Sequence, residues 1–213
     1  EGPGFEARAR WAVVAIPITL AGRITYEPAL PGYRDQFTQR MPAGSAMKCL
    51  AVYDEPFWRA DGLSGQITSS DGPFRVAFDT SPADGSPGVM SAFVTGSAAR
   101  ALTRLTPVER RTAVLDGLTR GLGPKAGKPR DFVEQNWLDE EFTRGCYHGF
   151  APPGLYTAYG HALREPIGRI HWAGTESGVH QMGSMGGAVD SGRRVARELF
   201  ARAAEERGEE RKP

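Results

Sequence analysis

Two cysteines in 213 residues are too few for a disulfide framework, and Cys49 and Cys146 lie too far apart to share a metal-ligand spacing. No metal site is expected, and a reducing, cytoplasmic compartment is the corresponding expectation. Long apolar runs are lacking as well. The longest, residues 11–20, is broken by Pro17 and falls short of the roughly 20 residues that span a bilayer, so no membrane segment is expected. Nor is one sign of charge in excess: 26 Lys and Arg against 25 Asp and Glu leave a formal net charge of +1. The basic residues are scattered rather than clustered, which gives no reason to expect nucleic acid as a partner. The opening Glu-Gly-Pro-Gly lacks the basic-then-apolar order of a secretory signal, and none is expected. There is no internal repeat, no low-complexity segment and no Gly-x-Gly-x-x-Gly fingerprint.

What is present is an ordinary globular composition, 40% hydrophobic and 24% charged, enough for one large domain or two small ones. Residues 5–16 read as a β-hairpin whose second strand, 11–16, is continuously apolar and so expected to be buried on both faces. Tyr33, Phe37 and Arg40 fall at helical spacing within 30–40. Residues 46–53 form a strand, followed by an aromatic turn at Pro56, Phe57 and Trp58. Residues 65–69 and 74–78 alternate as a hairpin, and 88–94 is a further strand, so the middle of the chain reads as a mostly antiparallel sheet.

Two helices follow, over 97–105 and 106–122. The second has Thr106 as N-cap, Pro107 at the first helical position and Glu109 at the third, with Val108, Ala113, Leu115 and Leu118 as its apolar face. A loop over 121–129 leads to a strand at 132–138. The last helix is expected over 184–206, with Met185, Val189, Ala196 and Leu199 near one face, and the charged tail 205–213 is expected to fray.

Three groups of residues could carry chemistry. A lone cysteine is ordinarily a small core residue, but Cys146 lies between Gly145 and Gly149 and beside Tyr147, where a backbone can approach a planar ligand. Lys48 shares a strand face with Ala46, Leu50 and Val52; a lysine on an apolar stripe either snorkels or has a purpose. Gly174-Thr175-Glu176 follows an apolar strand, and Gly183-Ser184-Met185-Gly186-Gly187 opens a helix. Those glycines either pack the helix closely on a sheet or expose N–H groups that attract negative charge. His148 near Cys146 suggests a thiol–imidazole pair, but no oxyanion motif accompanies it.

Taken together, Gly145-Cys146-Tyr147, Asn136-Trp137, Pro42 to Cys49 as Pro-x-Gly-x-x-x-Lys-Cys, Arg169 to Glu176 and Gly187-Ala188-Val189 resemble the C-terminal half of the flavin-containing monoamine oxidases. The resemblance runs from about Trp11 to Phe200. It implies an α/β fold: the C-terminal part of a two-domain FAD-linked amine oxidase, a flavin-binding portion beside a mostly antiparallel substrate-domain sheet with helices. Residues 1–22 and 140–213 would complete the FAD-binding domain, and 23–139 would form the substrate-binding domain.

The resemblance also implies roles. Cys146 would carry a covalent bond to FAD, Lys48 would hold a water against flavin N5, and Trp137 would pack near the ring. Gly174, Thr175, Glu176, Gly183, Ser184 and Met185 would contact the cofactor, and Phe93, Tyr147 and Ser184 would line the substrate cavity. The implied reaction is oxidative deamination of a primary amine to an imine and then an aldehyde, with ammonia and hydrogen peroxide as further products and dioxygen as oxidant. Two positions depart from the family. Its second cage aromatic falls at Ser184, and Gly186 stands where it usually has an acidic residue. The altered cage leaves open a polyamine, diamine or amino-acid oxidase of the same superfamily. The missing glycine-rich fingerprint makes an N-terminal half or partner chain an expectation. With it come an isolated chain that is inactive and self-associates as a homo-oligomer, or a non-catalytic remnant or partner subunit.

Overall fold

The computed structural model describes residues 4–209. In chain order its elements are β1 (Ala12–Val14), α1 (Ile18–Ala21), α2 (Gly32–Gln39), β2 (Ala46–Tyr53), α3 (Phe57–Ala60), β3 (Ile67–Thr68), β4 (Val76–Asp79), β5 (Gly88–Thr95), α4 (Gly96–Leu102) and α5 (Pro107–Leu122). They continue with β6 (Asp131–Asn136), α6 (Leu155–Tyr159), β7 (Ile170–Trp172) and α7 (Met185–Glu209). Short 3-10 turns follow α5, α6 and β7. This is the α/β class expected from the sequence. The chain forms two compact units, one from Gly44–Tyr147 and the other from the segments up to Ala43 and from His148 onward.

The Gly44–Tyr147 unit is a five-stranded antiparallel sheet in the order β3-β4-β5-β2-β6. Side chains alternate across a strand, so β2 presents Met47, Cys49, Ala51 and Tyr53 to a core completed by Met90, Ala92 and Val94 of β5 and by Val114, Leu118 and Leu122 of α5. At one end Tyr53, Phe57 and Trp58 meet edge to face, with centroids 5.1–5.7 Å apart, a geometry favoured by the ring quadrupoles.

Helix α5 begins as its sequence dictates. Thr106 Oγ1 accepts from the Glu109 N–H at 3.3 Å, and Glu109 returns a carboxylate to the Thr106 N–H at 2.8 Å, with Pro107 inside the cap. Val108 is not part of the packed face; it is 73% exposed. Leu115 and Leu118 of the expected face are buried, joined by Val114 and Leu122, so the contact is carried from the second turn onward. Gly117 lets the helix approach closely: a Cβ there would come within 2.7 Å of the Phe74 ring.

Asp79 at the end of β4 ties the aromatic end together. Its carboxylate accepts from Trp58 Nε1 at 2.9 Å, Arg59 Nε at 2.7 Å and the Ser81 N–H at 2.8 Å. Burial by itself raises its pKa, but hydrogen bonds from Arg59, Ser81 and Trp58 together outweigh that and hold it well below the usual carboxylate range. A depressed folded-state pKa contributes stability above the unfolded value near pH 4, lost as pH falls through the folded one. Asp79→Asn is therefore expected to cost about 2–3 kcal/mol at pH 7 and progressively less below about pH 4. Urea unfolding of both proteins at pH 7 and pH 3 checks this, and an equal cost at both would remove the charge from the account.

The other unit departs from the sequence reading at its start. β1 has no hairpin partner among the described residues; it pairs in parallel with β7, Ala12 opposite Ile170. Val13 and Ile16 are exposed, because a two-stranded sheet covers a strand on one edge and one face only. The apolar core lies instead among Ile18, Phe37, Met41, Leu155, Ala162 and Leu163, which join α1, α2 and α6. Helix α7 is also turned from its expected face. Met185 and Val189 are exposed, and Gly187, Ser191 and Val195, spaced by four, are buried. Small residues set this face because the helix packs on backbone: a Cβ on Gly187 would fall 2.5 Å from the Gln181 carbonyl. The helix continues through the expected frayed residues to Glu209; residues 210–213 of that tail, like Glu1 to Pro3, lie outside the described residues.

Candidate functional site

In the sheet unit, the sequence candidates gather at one end of β2. Lys48 pairs in register with Phe93 of β5 on one side and Gln135 of β6 on the other. Its face of the strand is the one turned away from the helix-covered core, and the side chain is half-buried. Lys48 Nζ lies 5.2 Å from the Phe93 ring centroid, within cation–π range. Phe93 in turn meets Phe78 edge to face at 5.8 Å, and Tyr147 in a tilted arrangement at 6.4 Å and 32°. Lys48, Phe93 and Tyr147 thus form one group, and Tyr147 keeps 56% of its surface exposed.

Cys146 and Trp137 flank the start of the same strand. The Cys146 N–H donates to the Gly44 carbonyl at 2.9 Å, and the Trp137 N–H donates to that of Ala46 at 3.2 Å. The Cys146–Tyr147 peptide is cis, and Gly145 has φ 143°. Cys146 is a free, half-buried thiol whose pKa is raised by burial; Tyr147 is raised by burial and by Cys146. Cys49, the other cysteine, points to the opposite face and is fully buried. Burial, with Glu134 nearby, pushes its thiol up to about 12, so Cys49 is an inert core residue.

In the other unit, the residues from Gly174 to Met185 form a braced loop at the start of α7. Gly174, at φ 120°, donates its N–H to Ser191 Oγ at 3.0 Å. Thr175 Oγ1 donates to the Ser184 carbonyl at 2.7 Å, and the Thr175 carbonyl accepts from the Gly183 N–H at 3.1 Å. Ser184 Oγ receives the Gly187 N–H at 3.3 Å and the Ser184 carbonyl receives that of Ala188 at 3.1 Å. The N–H groups of Met185 and Gly186, in the first turn, have no carbonyl partner within the helix. Met185 itself is 88% exposed.

Glu176 sits differently from its neighbours. It is 6% exposed, and its Oε1 accepts the Gly149 N–H at 2.8 Å. Its carboxylate therefore holds the loop in place rather than facing outward.

Three further braces went unread in the sequence. Arg164 donates to the carbonyls of Ser177 and Gly178 at 2.9 and 2.7 Å. Asp190 accepts the N–H groups of Val179 and His180, which lower its pKa. Buried His171 shares Glu198 with Arg194. Only the i,i+4 spacing of Arg194 and Glu198 was visible as a signal. His148 Nδ1 lies 2.8 Å from the Gly149 carbonyl, and the ring fills the space where a Cβ on Gly183 would stand, which gives the imidazole a packing role.

Residues 2–200 match the family model of flavin containing amine oxidoreductases, and the chain belongs to that family. Among its relatives, a probable flavin-containing monoamine oxidase A of Dictyostelium discoideum is 47% identical over 92% of this chain and 43% of its own length. The flavin-containing amine oxidase B of Sus scrofa is 41% identical over 90% of this chain and 38% of its own. Two solved structures are similar. One is a cyclohexylamine oxidase from Brevibacterium oxydans IH-35A, with a TM-score of 0.88 at 33% identity, covering 93% of this chain and 44% of that one. The other is a putrescine oxidase with bound putrescine, with a TM-score of 0.86 at 35% identity, covering 90% of this chain and 42% of that one. The chain thus spans about two-fifths of the length of the relatives it matches.

Proposed function

We propose that these residues supply the covalent anchor, the proton-handling lysine and one aromatic wall of an FAD-dependent amine oxidase acting on a primary amine. The observation that carries this reading is the grouping of Lys48, Phe93 and Tyr147 at one end of a sheet whose first strand is flanked by Cys146 and Trp137. The unit containing Gly174 to Met185 would be the cofactor-binding portion, and the sheet unit the substrate-binding portion. Residues outside the 213 would provide the dinucleotide fingerprint and the rest of the cofactor site. Each unit by itself has residues that fit a flavin: a free half-buried thiol and an exposed tyrosine in the sheet unit, and the first-turn N–H groups of a 25-residue helix in the other.

FAD would supply the redox chemistry, acceptance of a hydride equivalent from an amine α-carbon and its return by dioxygen as hydrogen peroxide. The chain's own residues do the rest. Cys146 would hold the ring through Sγ, and Trp137 would pack beside it. Lys48 would hold a water at the N5 edge and move protons there. The N–H groups at the start of α7 would favour negative charge on the reduced ring, a helix-terminus effect of about 0.3–2 kcal/mol. Tyr147 orients the amine, with Phe93 behind it. A second reading, a diamine or polyamine oxidase, is favoured by Ser184, since a serine cannot provide a ring facing Tyr147.

The test is a chimera in which this chain follows the N-terminal segment of the Dictyostelium discoideum relative. A yellow protein that a primary monoamine bleaches without air, and that forms peroxide with air, is the expected result. Bleaching by putrescine or a polyamine alone would select the second reading. A flavin-loaded protein that no amine bleaches would overturn both.

A further inference from the structure

The five methionines divide sharply by exposure. Met41, Met47 and Met90 are fully buried in the two cores. Met182 is 45% exposed and Met185 88%, and both lie in the loop and helix start that follow Gly174. An accessible thioether offers its lone pairs to oxidants, whereas a buried one is shielded by packing. The cysteines are poorer targets. Cys49 is buried, and burial raises the pKa of the half-buried Cys146, which keeps it in the less reactive protonated form.

Met182 is also tied to another element. It stands at a turn between two left-handed residues, Gln181 at φ 51° and Gly183 at φ 82°. The Ser184 N–H closes this turn on the Gln181 carbonyl at 3.1 Å. The Met182 sulfur accepts from the Tyr156 hydroxyl of α6 at 3.6 Å. A thioether is a weak acceptor, so the contact fastens the loop to α6 only lightly. A sulfoxide oxygen at the same place is polar and a far better acceptor.

We infer that Met182 is a modification site, oxidised to methionine sulfoxide by hydrogen peroxide, and that the new oxygen captures the Tyr156 hydroxyl and tightens the loop on α6. The sulfur lone pair attacks one peroxide oxygen and the O–O bond breaks. That oxygen stays on sulfur, and its proton passes to the departing hydroxide, which leaves as water. The thioether loses two electrons and the peroxide gains them. Met185 reacts as well, but it extends into solvent and couples the change to no other element. The inference rests on the proposed oxidase reading only for the source of peroxide; the sulfur and its hydroxyl partner belong to this chain. Accumulating product would thus stiffen the loop proposed to meet the cofactor.

The experiment exposes this chain to added hydrogen peroxide and follows each methionine by peptide mass spectrometry. Met182 and Met185 should gain one oxygen well before Met41, Met47 and Met90. Amide hydrogen exchange over 181–184 should then slow about fivefold, the effect of one added hydrogen bond. Met185→Leu should keep that slowing, and Met182→Leu should abolish it. Tyr156→Phe should still be oxidised but show no slowing, since only the hydroxyl is gone. Met182 reacting no faster than the buried methionines, or exchange that is unchanged by oxidation or slowed equally in Tyr156→Phe, would overturn the inference. In the flavin-loaded chimera, amine and air should oxidise Met182 unless catalase is present. Measured peroxide release that leaves Met182 intact would overturn the product feedback. A chimera that releases no peroxide would instead count against the oxidase reading, with the response to added peroxide still standing.

Discussion

In the flavin-loaded chimera, Cys146→Ala is expected to turn a flavin that survives acid precipitation into one that is released completely. A covalent bond outlasts denaturation, whereas a cofactor held by packing and hydrogen bonds leaves with the fold. The control is built into the same strand system. Cys49→Ala should leave retention unchanged, because Cys49 faces the core on the opposite side of β2 from Lys48. Its thiol, pushed up to about 12 by burial, stays protonated. Cys49→Ala removes little volume from the core, so its cost should stay near 1 kcal/mol. Mass spectrometry of the peptide carrying Gly145 to Phe150 is the deciding measurement. An unmodified Cys146 in an active, flavin-loaded protein would remove the linkage from the proposed site and leave a snug loop beside Gly44.

Lys48→Met should lower turnover by about a hundredfold, the usual size of a lost proton-handling group, while flavin content stays intact. Methionine approximates the length of the lysine stem, so contact with Phe93 survives and only the ammonium is lost. A purely structural lysine would behave otherwise, lowering the unfolding temperature with the flavin half-reactions unchanged. Stopped-flow measurement of reduction by amine and of reoxidation by dioxygen separates the two cases. Wild-type rates in both half-reactions would take Lys48 out of the mechanism.

Much of the sheet unit was legible in the sequence because its signals are local. The strands over 46–53 and 88–94 were read from composition and turn signals, whereas the face of 46–53 that enters the core, Met47 to Tyr53 rather than the Lys48 stripe, was set by packing. Thr106, Pro107 and Glu109 fixed a helix start to the residue. The placement of Lys48 and Cys49 on opposite faces of one strand follows from a period of two and needs no tertiary information. The motif residues Cys146, Tyr147 and Gly174 to Glu176 were singled out through the family resemblance their order carries.

The other unit was less legible because its decisive contacts lie far apart in sequence. The apolar run 11–16 looked like a doubly buried strand, yet its burial depends on neighbours on both sides, and β7, about 160 residues away, covers only one edge. Met185 and Val189 have the spacing of a packed face but stay exposed, because Gly187 and Ser191 allow α7 to lie backbone-close on the 174–181 loop. Glu176 belongs to a motif, but that its carboxylate turns inward to Gly149 was decided by the fold. Arg34 gave no signal as an exceptional residue; it is one of many arginines until α2 places it on the Trp172 ring with a donor unspent. Periodicity, caps and motif chemistry are properties of neighbouring residues, so the sequence by itself determined them. Burial, charge compensation and the direction of a side chain depend on which distant segments meet, and those only the tertiary structure decided.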